Sequence, residues 1–244
     1  MERNPLSPRK IWGCGRSAGR GGRDGRAPAV EIKCSTNARE AFLVAEEVVH
    51  SPEIADEERQ RAHLYALLGR LLLAAPGEAE IAVVRDLRGD ATELGRALYA
   101  LAALARRASV DGLRDEYHDL FIGLAQGEVV PFASVYLTGF LQERPLADLR
   151  GDMMRLRVRR RDEVYEPEDH IGSICEMMAG LITGAFGAPL PIAEQRRFFE
   201  RHLAPWASRF FVDLERAKTA TFYMPVGTIG RLFMDIERDA FAMS

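Results

Sequence analysis

The sequence has only three cysteines, Cys14, Cys34 and Cys175, and they lie far apart without forming a CxxC pair. Zinc sites and disulfide frameworks need closely spaced or evenly paired cysteines, so neither is indicated. A reducing, cytoplasmic environment fits this cysteine usage best. Cys175 falls on an apolar helical stripe and is predicted to be a small core residue.

Long apolar runs are also missing. No stretch approaches the roughly 18 residues that a membrane helix needs, so no integral membrane segment is expected. The N-terminal residues lack the apolar h-region of a secretory signal. SPRK at 7–10 is not a twin-arginine motif.

The motifs of nucleotide and metal chemistry are absent as well: GxxxxGK[ST], GxGxxG and HExxH do not occur. A di-iron helical bundle needs two Glu-x-x-His motifs and two further glutamates. The chain has one such motif, Glu47 to His50, and only an approximate second, Asp115 to His118. We expect no metal ligands and no permanently bound cofactor, and a metal-dependent helical enzyme is kept as an alternative.

Charge divides the chain into two parts. Residues 1–28 hold seven Lys/Arg and two Asp/Glu, whereas the remainder holds 26 Lys/Arg and 34 Asp/Glu. Residues 1–37 are predicted to be a disordered Gly/Arg-rich extension, because they offer too little apolar surface to offset chain entropy. The acidic remainder favours basic partners over nucleic acid, which leaves a helical nucleic-acid-binding regulator as a second alternative.

Apolar residues recur at spacings of three and four from residue 38 onward, and alternating β patterns are nearly absent. This predicts an all-α protein, a single globular domain of about ten helices over 38–244. The stripes are Leu64, Leu68, Leu71 and Leu72; Leu94, Leu98, Leu101 and Ala105; Ile171, Ile174, Cys175, Met178, Leu181, Ile182 and Ala185; and Phe222, Val226, Ile229, Phe233, Ile236 and Ala240. Pro225 and other Pro and Gly residues are predicted breakers between stripes.

Two segments carry two aromatic residues each. EYHDLF at 116–121 reads as helix, with Tyr117, Leu120 and Phe121 inward and Glu116 and Asp119 outward. In PFASVYL at 131–137, Pro131 is expected to open a short helix. Ser134, a small residue among larger apolar ones, either packs between helices or allows close approach of an extended peptide.

The segment EPEDHI at 166–171 is acidic. Pro167 suits the first turn of a helix, where Glu168 and Asp169 would lie at the positive end of the helix dipole. His170 then has two interpretations: a hydrogen-bonded packing residue, or part of a polar cluster that faces a groove with these carboxylates.

The order of these motifs, followed by EQRRFFERHLAPW at 194–206 and Phe222-Tyr223, resembles the TorD/DmsD family of redox-enzyme maturation chaperones. The resemblance covers residues 53–242 and implies a cytoplasmic, all-helical chaperone without enzymatic activity. It implies binding to the precursor of a molybdoenzyme catalytic subunit, through its twin-arginine signal peptide or its apo form. Export would wait until the molybdopterin cofactor is inserted. A monomer or a dimer is compatible with the family.

The resemblance also implies site residues. The family's aromatic-x-Ser-x-aromatic-Leu motif and its acidic-Pro-x-Asp-His motif imply a signal-peptide-binding set: Phe132, Ser134, Tyr136, Leu137, Glu166, Pro167, Asp169 and His170. Phe132 replaces the usual tyrosine and lacks its hydroxyl. The His-Leu-x-Pro-Trp element at 202–206 reads as a structural turn between two helices, anchored by Trp206.

The partner's chemistry agrees with this reading, because a twin-arginine peptide presents arginines followed by an apolar stretch. An acidic domain with an apolar groove complements both parts. The run RLRVRRR at 155–161 is either a solvated loop or an anion contact, for example a weak one with molybdopterin guanine dinucleotide or GTP. Its arginines are Arg155, Arg157, Arg159, Arg160 and Arg161.

Overall fold

A computed structural model describes residues 43–44, 54–124, 127–161, 164 and 166–243. The predicted disorder of residues 1–37 and the Glu47 to His50 motif lie outside these residues. The described part contains ten α-helices, which confirms the all-α prediction. They are α1 (Asp56–Leu73), α2 (Glu78–Arg85), α3 (Glu93–Ala105), α4 (Val110–Tyr117), α5 (Ala133–Thr138), α6 (Arg144–Arg155), α7 (Ile171–Thr183), α8 (Ile192–His202), α9 (Ala207–Arg216) and α10 (Tyr223–Met243).

Two very short strands are the departure from a purely helical chain. β1 (Leu43–Val44) pairs antiparallel with β2 (Arg159–Arg160), with Leu43 opposite Arg160. Two-residue strands carry no readable alternation of apolar and polar residues, so sequence periodicity gives no sign of them.

The centre of the protein is α7, of which nearly every residue is buried. It packs most extensively against α1, and the two helices approach closely at Gly69 and Gly172. A Cβ on Gly172 would lie 2.7 Å from Leu73 Cγ and 3.0 Å from the Gly69 carbonyl oxygen. Cys175 is fully buried in this core, as predicted.

The C-terminal helix α10 closes the other side of the core against α9 and α3. Its predicted stripe is right at Phe233 and Ile229, which are buried, and wrong at Ile236, which is 49% exposed. Glu237 is buried instead, because Arg61 and Tyr65 of α1 bind its carboxylate. Pro225 lies within the first turn of α10 rather than before it, a position that tolerates proline.

EYHDLF is helical but not uniform. Residues up to Tyr117 belong to α4, and His118–Ile122 form one π-helical turn. Glu116 is half-buried rather than outward, because its carboxylate accepts hydrogen bonds from the backbone N–H groups of Thr221 (2.7 Å) and Tyr223 (2.9 Å). It therefore caps the start of α10, where unpaired N–H groups need acceptors.

Candidate functional site

The segments PFASVYL and EPEDHI meet, although 28 residues lie between them. Phe132 and His170 face each other across an isolated antiparallel bridge. The N–H of Ala133 donates to the Asp169 carbonyl (2.9 Å), and the N–H of Ile171 donates to the Pro131 carbonyl (2.8 Å). We call residues 131–138 and 166–171, joined in this way, the motif junction.

Asp169 is the polar centre of the junction. It is 1% exposed, and its Oδ2 accepts from the Ser134 N–H at 2.9 Å, near the start of α5. Among the described residues its Oδ1 and the Ser173 hydroxyl have no hydrogen-bond partner. Asp169 therefore fixes the position of α5 relative to the head of α7, rather than presenting a carboxylate to solvent.

His170 is the N-cap of α7. Its Nδ1 accepts from the Gly172 N–H at 3.0 Å, and its ring lies edge-on to Phe132 with a centroid separation of 5.2 Å. Burial lowers the pKa of His170 to about 3, so the ring is neutral at pH 7. The packing interpretation of His170 is therefore the one that its surroundings favour.

Two helix starts differ from the sequence prediction. α5 begins at Ala133 with Phe132 as N-cap, and α7 begins at Ile171. Pro131 and Pro167 both precede their helices, because their carbonyl groups are used elsewhere in the junction: Pro131 accepts from Ile171, and Pro167 closes a turn by accepting from the His170 N–H. Glu168 is consequently outside the first turn of α7, and its carboxylate is satisfied by arginines.

The predicted site residues thus divide into a buried and an exposed group. Ser134, Asp169 and His170 are buried, and Phe132, Tyr136 and Pro167 are half-buried. Only two of the eight are exposed, Leu137 and Glu166.

Sequence reasoning missed the exposed apolar turn that follows α5. Gly139 ends the helix in the left-handed conformation (φ 86°), a conformation that glycine adopts without strain. Phe140 and Leu141 follow it and are 70% and 54% exposed. Two large apolar residues directly after a helix-ending glycine were the signal that could have identified this turn.

A cleft of about 570 Å³ adjoins the junction, lined by Gln142, Glu143, Arg144, Leu146, Ala147, Arg150, Gly151 and Met154. One end is tied to PFASVYL, because the Glu143 N–H donates to the Ser134 hydroxyl (3.3 Å). The other end is tied to EPEDHI, because Arg150 donates to Glu168 at 2.8 and 3.0 Å. α6 and the preceding Glu143 therefore form a wall of the cleft and are hydrogen-bonded to both motifs.

The arginine run is only partly available for anions. Arg155 ends α6 and pairs with Asp152 (3.2 Å) and Glu194 (2.8 Å). Arg160 pairs with Glu168 (3.4 Å) and donates to the Glu166 carbonyl (3.0 Å). Arg159 and Arg161 also have interaction partners. The anion contact through this run, with Arg157 included, stays a prediction.

In the described part of the chain, no helix is long and apolar enough to span a bilayer. The same residues contain no group of three or more His, Cys, Asp and Glu side chains arranged to hold a metal ion. The junction is a hydrogen-bonded frame, and its exposed predicted residues are the apolar Leu137 and the acidic Glu166.

The chain matches a family model described as nitrate reductase delta subunit over residues 87–212, about half of its length. It is 26% identical to the chaperone protein TorD of Aliivibrio fischeri over 211 residues, which are 76% of this chain and 96% of that protein. The TorD of Vibrio atlanticus is 26% identical over 53% of this chain and 64% of its own length. The chain is also 26% identical to a probable Tat proofreading chaperone DmsD of Haemophilus influenzae. The match covers 53% of this chain and 62% of that protein.

A solved structure from Archaeoglobus fulgidus, described as a candidate redox enzyme maturation protein, is also similar. Its identity is 19%, its TM-score is 0.48, and the likeness covers 78% of this chain and 99% of that chain.

The family match defines the class as a chaperone rather than a catalyst. The chain belongs to the TorD/DmsD family of redox-enzyme maturation chaperones. This membership favours the chaperone interpretation over the metal-dependent enzyme and the nucleic-acid-binding regulator.

Proposed function

We propose that this chaperone acts in the cytoplasm and binds the twin-arginine signal peptide of a molybdoenzyme precursor at the motif junction. The observation that carries the proposal is the union of two distant motifs in one buried frame with an exposed rim. We use the term rim for the exposed residues of the two motifs and of the turn after α5, which are apolar at Leu137, Phe140 and Leu141 and acidic at Glu143 and Glu166. Both halves of a basic-then-apolar peptide find complementary chemistry on it.

The buried and exposed residues then have different roles. The apolar part of the peptide covers Leu137, Phe140 and Leu141, and removal of this surface from water supplies most of the affinity. Glu143 and Glu166 attract the arginines, a contribution that salt screens over roughly 8–10 Å at physiological ionic strength. Asp169 and His170 hold the frame and act on the peptide through the position of α5.

Binding of this kind needs no covalent step. A peptide held by the chaperone is withheld from the export machinery, so export waits for cofactor insertion. The molybdenum cofactor belongs to the client, and the arginine run 155–161 is a secondary contact for its nucleotide portion or for GTP. The chaperone acts as a monomer or a dimer.

The test is calorimetric titration of the purified full chain with synthetic twin-arginine signal peptides from the molybdoenzyme precursors of the same genome. We expect a micromolar Kd for one of them and at least a tenfold loss when its two arginines are replaced by alanine. A tenfold loss corresponds to about 1.4 kcal/mol. If no peptide of the set binds, the proposal is wrong.

The site is located by surface variants that leave the core intact. Phe140→Ala with Leu141→Ala should weaken binding at least fivefold, and Glu166→Gln should weaken it mainly at low salt. Tyr99→Ala is the matched control, because Tyr99 is 62% exposed on α3, which packs on α2 and α10. Equal losses in the control and the rim variants would place the site elsewhere.

A further inference from the structure

One family motif has no part in the proposed contact surface: the His-Leu-x-Pro-Trp element at 202–206. It forms the turn between α8 and α9, with His202 as the last residue of α8 and Trp206 as the N-cap of α9. Both side chains are buried, at 6% and 1% exposure. A turn that connects two helices does not by itself require these two side chains to be buried.

His202 binds α6. Its Nε2 lies 2.8 Å from Oδ2 of Asp152, which is 5% exposed. Burial lowers the pKa of His202 more than the bond to Asp152 raises it, so a neutral ring donates Nε2–H to the carboxylate. Burial raises the pKa of Asp152, but the hydrogen bonds from His202 and Arg155 and the charge of Arg201 outweigh it.

The cleft lies on the side of α6 opposite to Asp152. Leu149 and Met153 are buried on the inner face of α6, and Arg150 and Met154 line the cleft. The polar contacts of Asp152 tie α6 to α8, with the Arg201 guanidinium 3.2 Å from Oδ2. The position of this cleft wall therefore depends on a buried polar contact made by His202.

Trp206 contacts α5. Its indole ring packs against Tyr136 with a centroid separation of 5.4 Å, and its N–H donates to the His202 carbonyl at 2.7 Å. The Tyr136 hydroxyl donates to Asp213 of α9 at 2.9 Å. One short turn thus contacts both α5 and α6, the two helices that flank the exposed rim.

We propose that His202 and Trp206 are positioning residues for peptide binding: the turn sets the separation of α5 and α6 and hence the shape of the cleft and rim. This inference rests on the proposed function for its affinity readout. It predicts that a change at His202 weakens peptide binding without altering any residue that touches the peptide.

The test compares His202→Ala, His202→Gln and Asp152→Asn in the full chain. His202→Ala should weaken the Kd for the signal peptide about fivefold, and His202→Gln, which keeps an N–H donor, should recover part of this loss. Asp152→Asn keeps the shape of the side chain and covers the case in which His202→Ala does not fold. The Kd of Asp152→Asn should rise to a similar extent. In the double variant with His202→Gln, the loss of binding free energy should be smaller than the sum of the two single losses.

The control is Glu237→Gln, which disturbs a buried ion pair between α1 and α10, away from α5 and α6. Amide hydrogen exchange gives a second readout that needs no peptide. Exchange over residues 144–155 should rise in the His202 variants and not in the control. The inference is overturned if these variants lower only the global stability, with Kd and local exchange unchanged relative to the control.

The two readouts separate the two proposals. If the wild type binds no signal peptide, the proposed function fails, and exchange over 144–155 alone decides whether His202 positions α6. If the wild type binds and the His202 variants bind equally well, the positioning role fails and the proposed function stands.

Discussion

Arg61 of α1 and Glu237 of α10 form a bidentate ion pair. Nε and Nη2 of Arg61 each lie 2.7 Å from a different oxygen of Glu237, and the Tyr65 hydroxyl donates to the same carboxylate at 2.9 Å. Glu237 is fully buried. A charged group in that position requires its partners, since an unpaired buried charge is strongly unfavourable.

Glu237→Gln should therefore lower the free energy of unfolding by about 2 kcal/mol, because Arg61 loses its hydrogen bonds to a buried carboxylate and keeps the partly exposed Glu58 as counter-charge. Urea unfolding followed by circular dichroism measures this. Glu200→Gln removes an exposed partner of Arg196 and is expected to change stability by less than about 0.5 kcal/mol. Similar small losses in both variants would contradict the prediction.

The N-cap of α7 gives a second prediction. His170→Ala removes the acceptor for the Gly172 N–H, whereas His170→Asn supplies a side chain that is favourable at N-caps. We expect the alanine variant to be less stable than the asparagine variant by at least about 1 kcal/mol. The two urea midpoints are compared at pH 7. An alanine variant as stable as the asparagine variant would show that the cap is unimportant.

Stability should also depend on pH through His170. Its pKa is about 3 in the folded protein and about 6.5 in an unfolded chain. Between these values the unfolded chain binds the extra proton, so stability is fully present above pH 6.5 and falls as the pH drops toward 3. The limiting slope for one proton is about 1.4 kcal/mol per pH unit.

Urea unfolding at pH 7, 6 and 5 checks this slope. His170→Asn cannot bind the proton, so it should lose less stability over this interval than the wild type. The pKa of His202 and that of His63 are also lowered, chiefly by burial, and both residues contribute in the same direction in both proteins. Parallel pH profiles for the variant and the wild type would rule out a role for His170.

Two helical glycines should respond oppositely to alanine. Gly151 has open space around its Cβ position, so Gly151→Ala should stabilise α6 by about 0.5–1 kcal/mol. A Cβ on Gly227 would lie 2.5 Å from the Glu215 backbone nitrogen, so Gly227→Ala must push α9 and α10 apart. We expect a loss of about 1–3 kcal/mol. Thermal unfolding of both variants is the measurement, and effects of the same sign would contradict the packing.

The sequence predicted the helices where local periodicity decides, and it failed where distant contacts decide. The stripe that starts at Ile171 is buried as expected up to Ile182, whereas Ala185 lies beyond the end of α7 and is exposed. Ile236, which was expected to be buried, is exposed, and the neighbouring Glu237 is buried because Arg61 binds its carboxylate. No local rule places a glutamate in a core.

The same distinction applies to the site. The two segments that the family motifs singled out meet in the structure, but the capping pattern at Pro167 predicted a helix start four residues too early. The bridge between Phe132 and His170 redirects the backbone there. Exposure could not be predicted either, so Asp169 and His170, expected at the polar end of a groove, are buried frame residues.

The burial of Asp169 and His170 at the head of the central helix has a consequence for evolution. A descendant of this chaperone that changed its client, or lost it, would still lose stability if either residue were replaced. Substitutions should instead accumulate at Leu137, Phe140 and Leu141, because changes at these exposed positions alter folding stability little. We therefore expect Asp169 and His170 to be shared among relatives with different clients, and the rim residues to differ with the client that each relative serves.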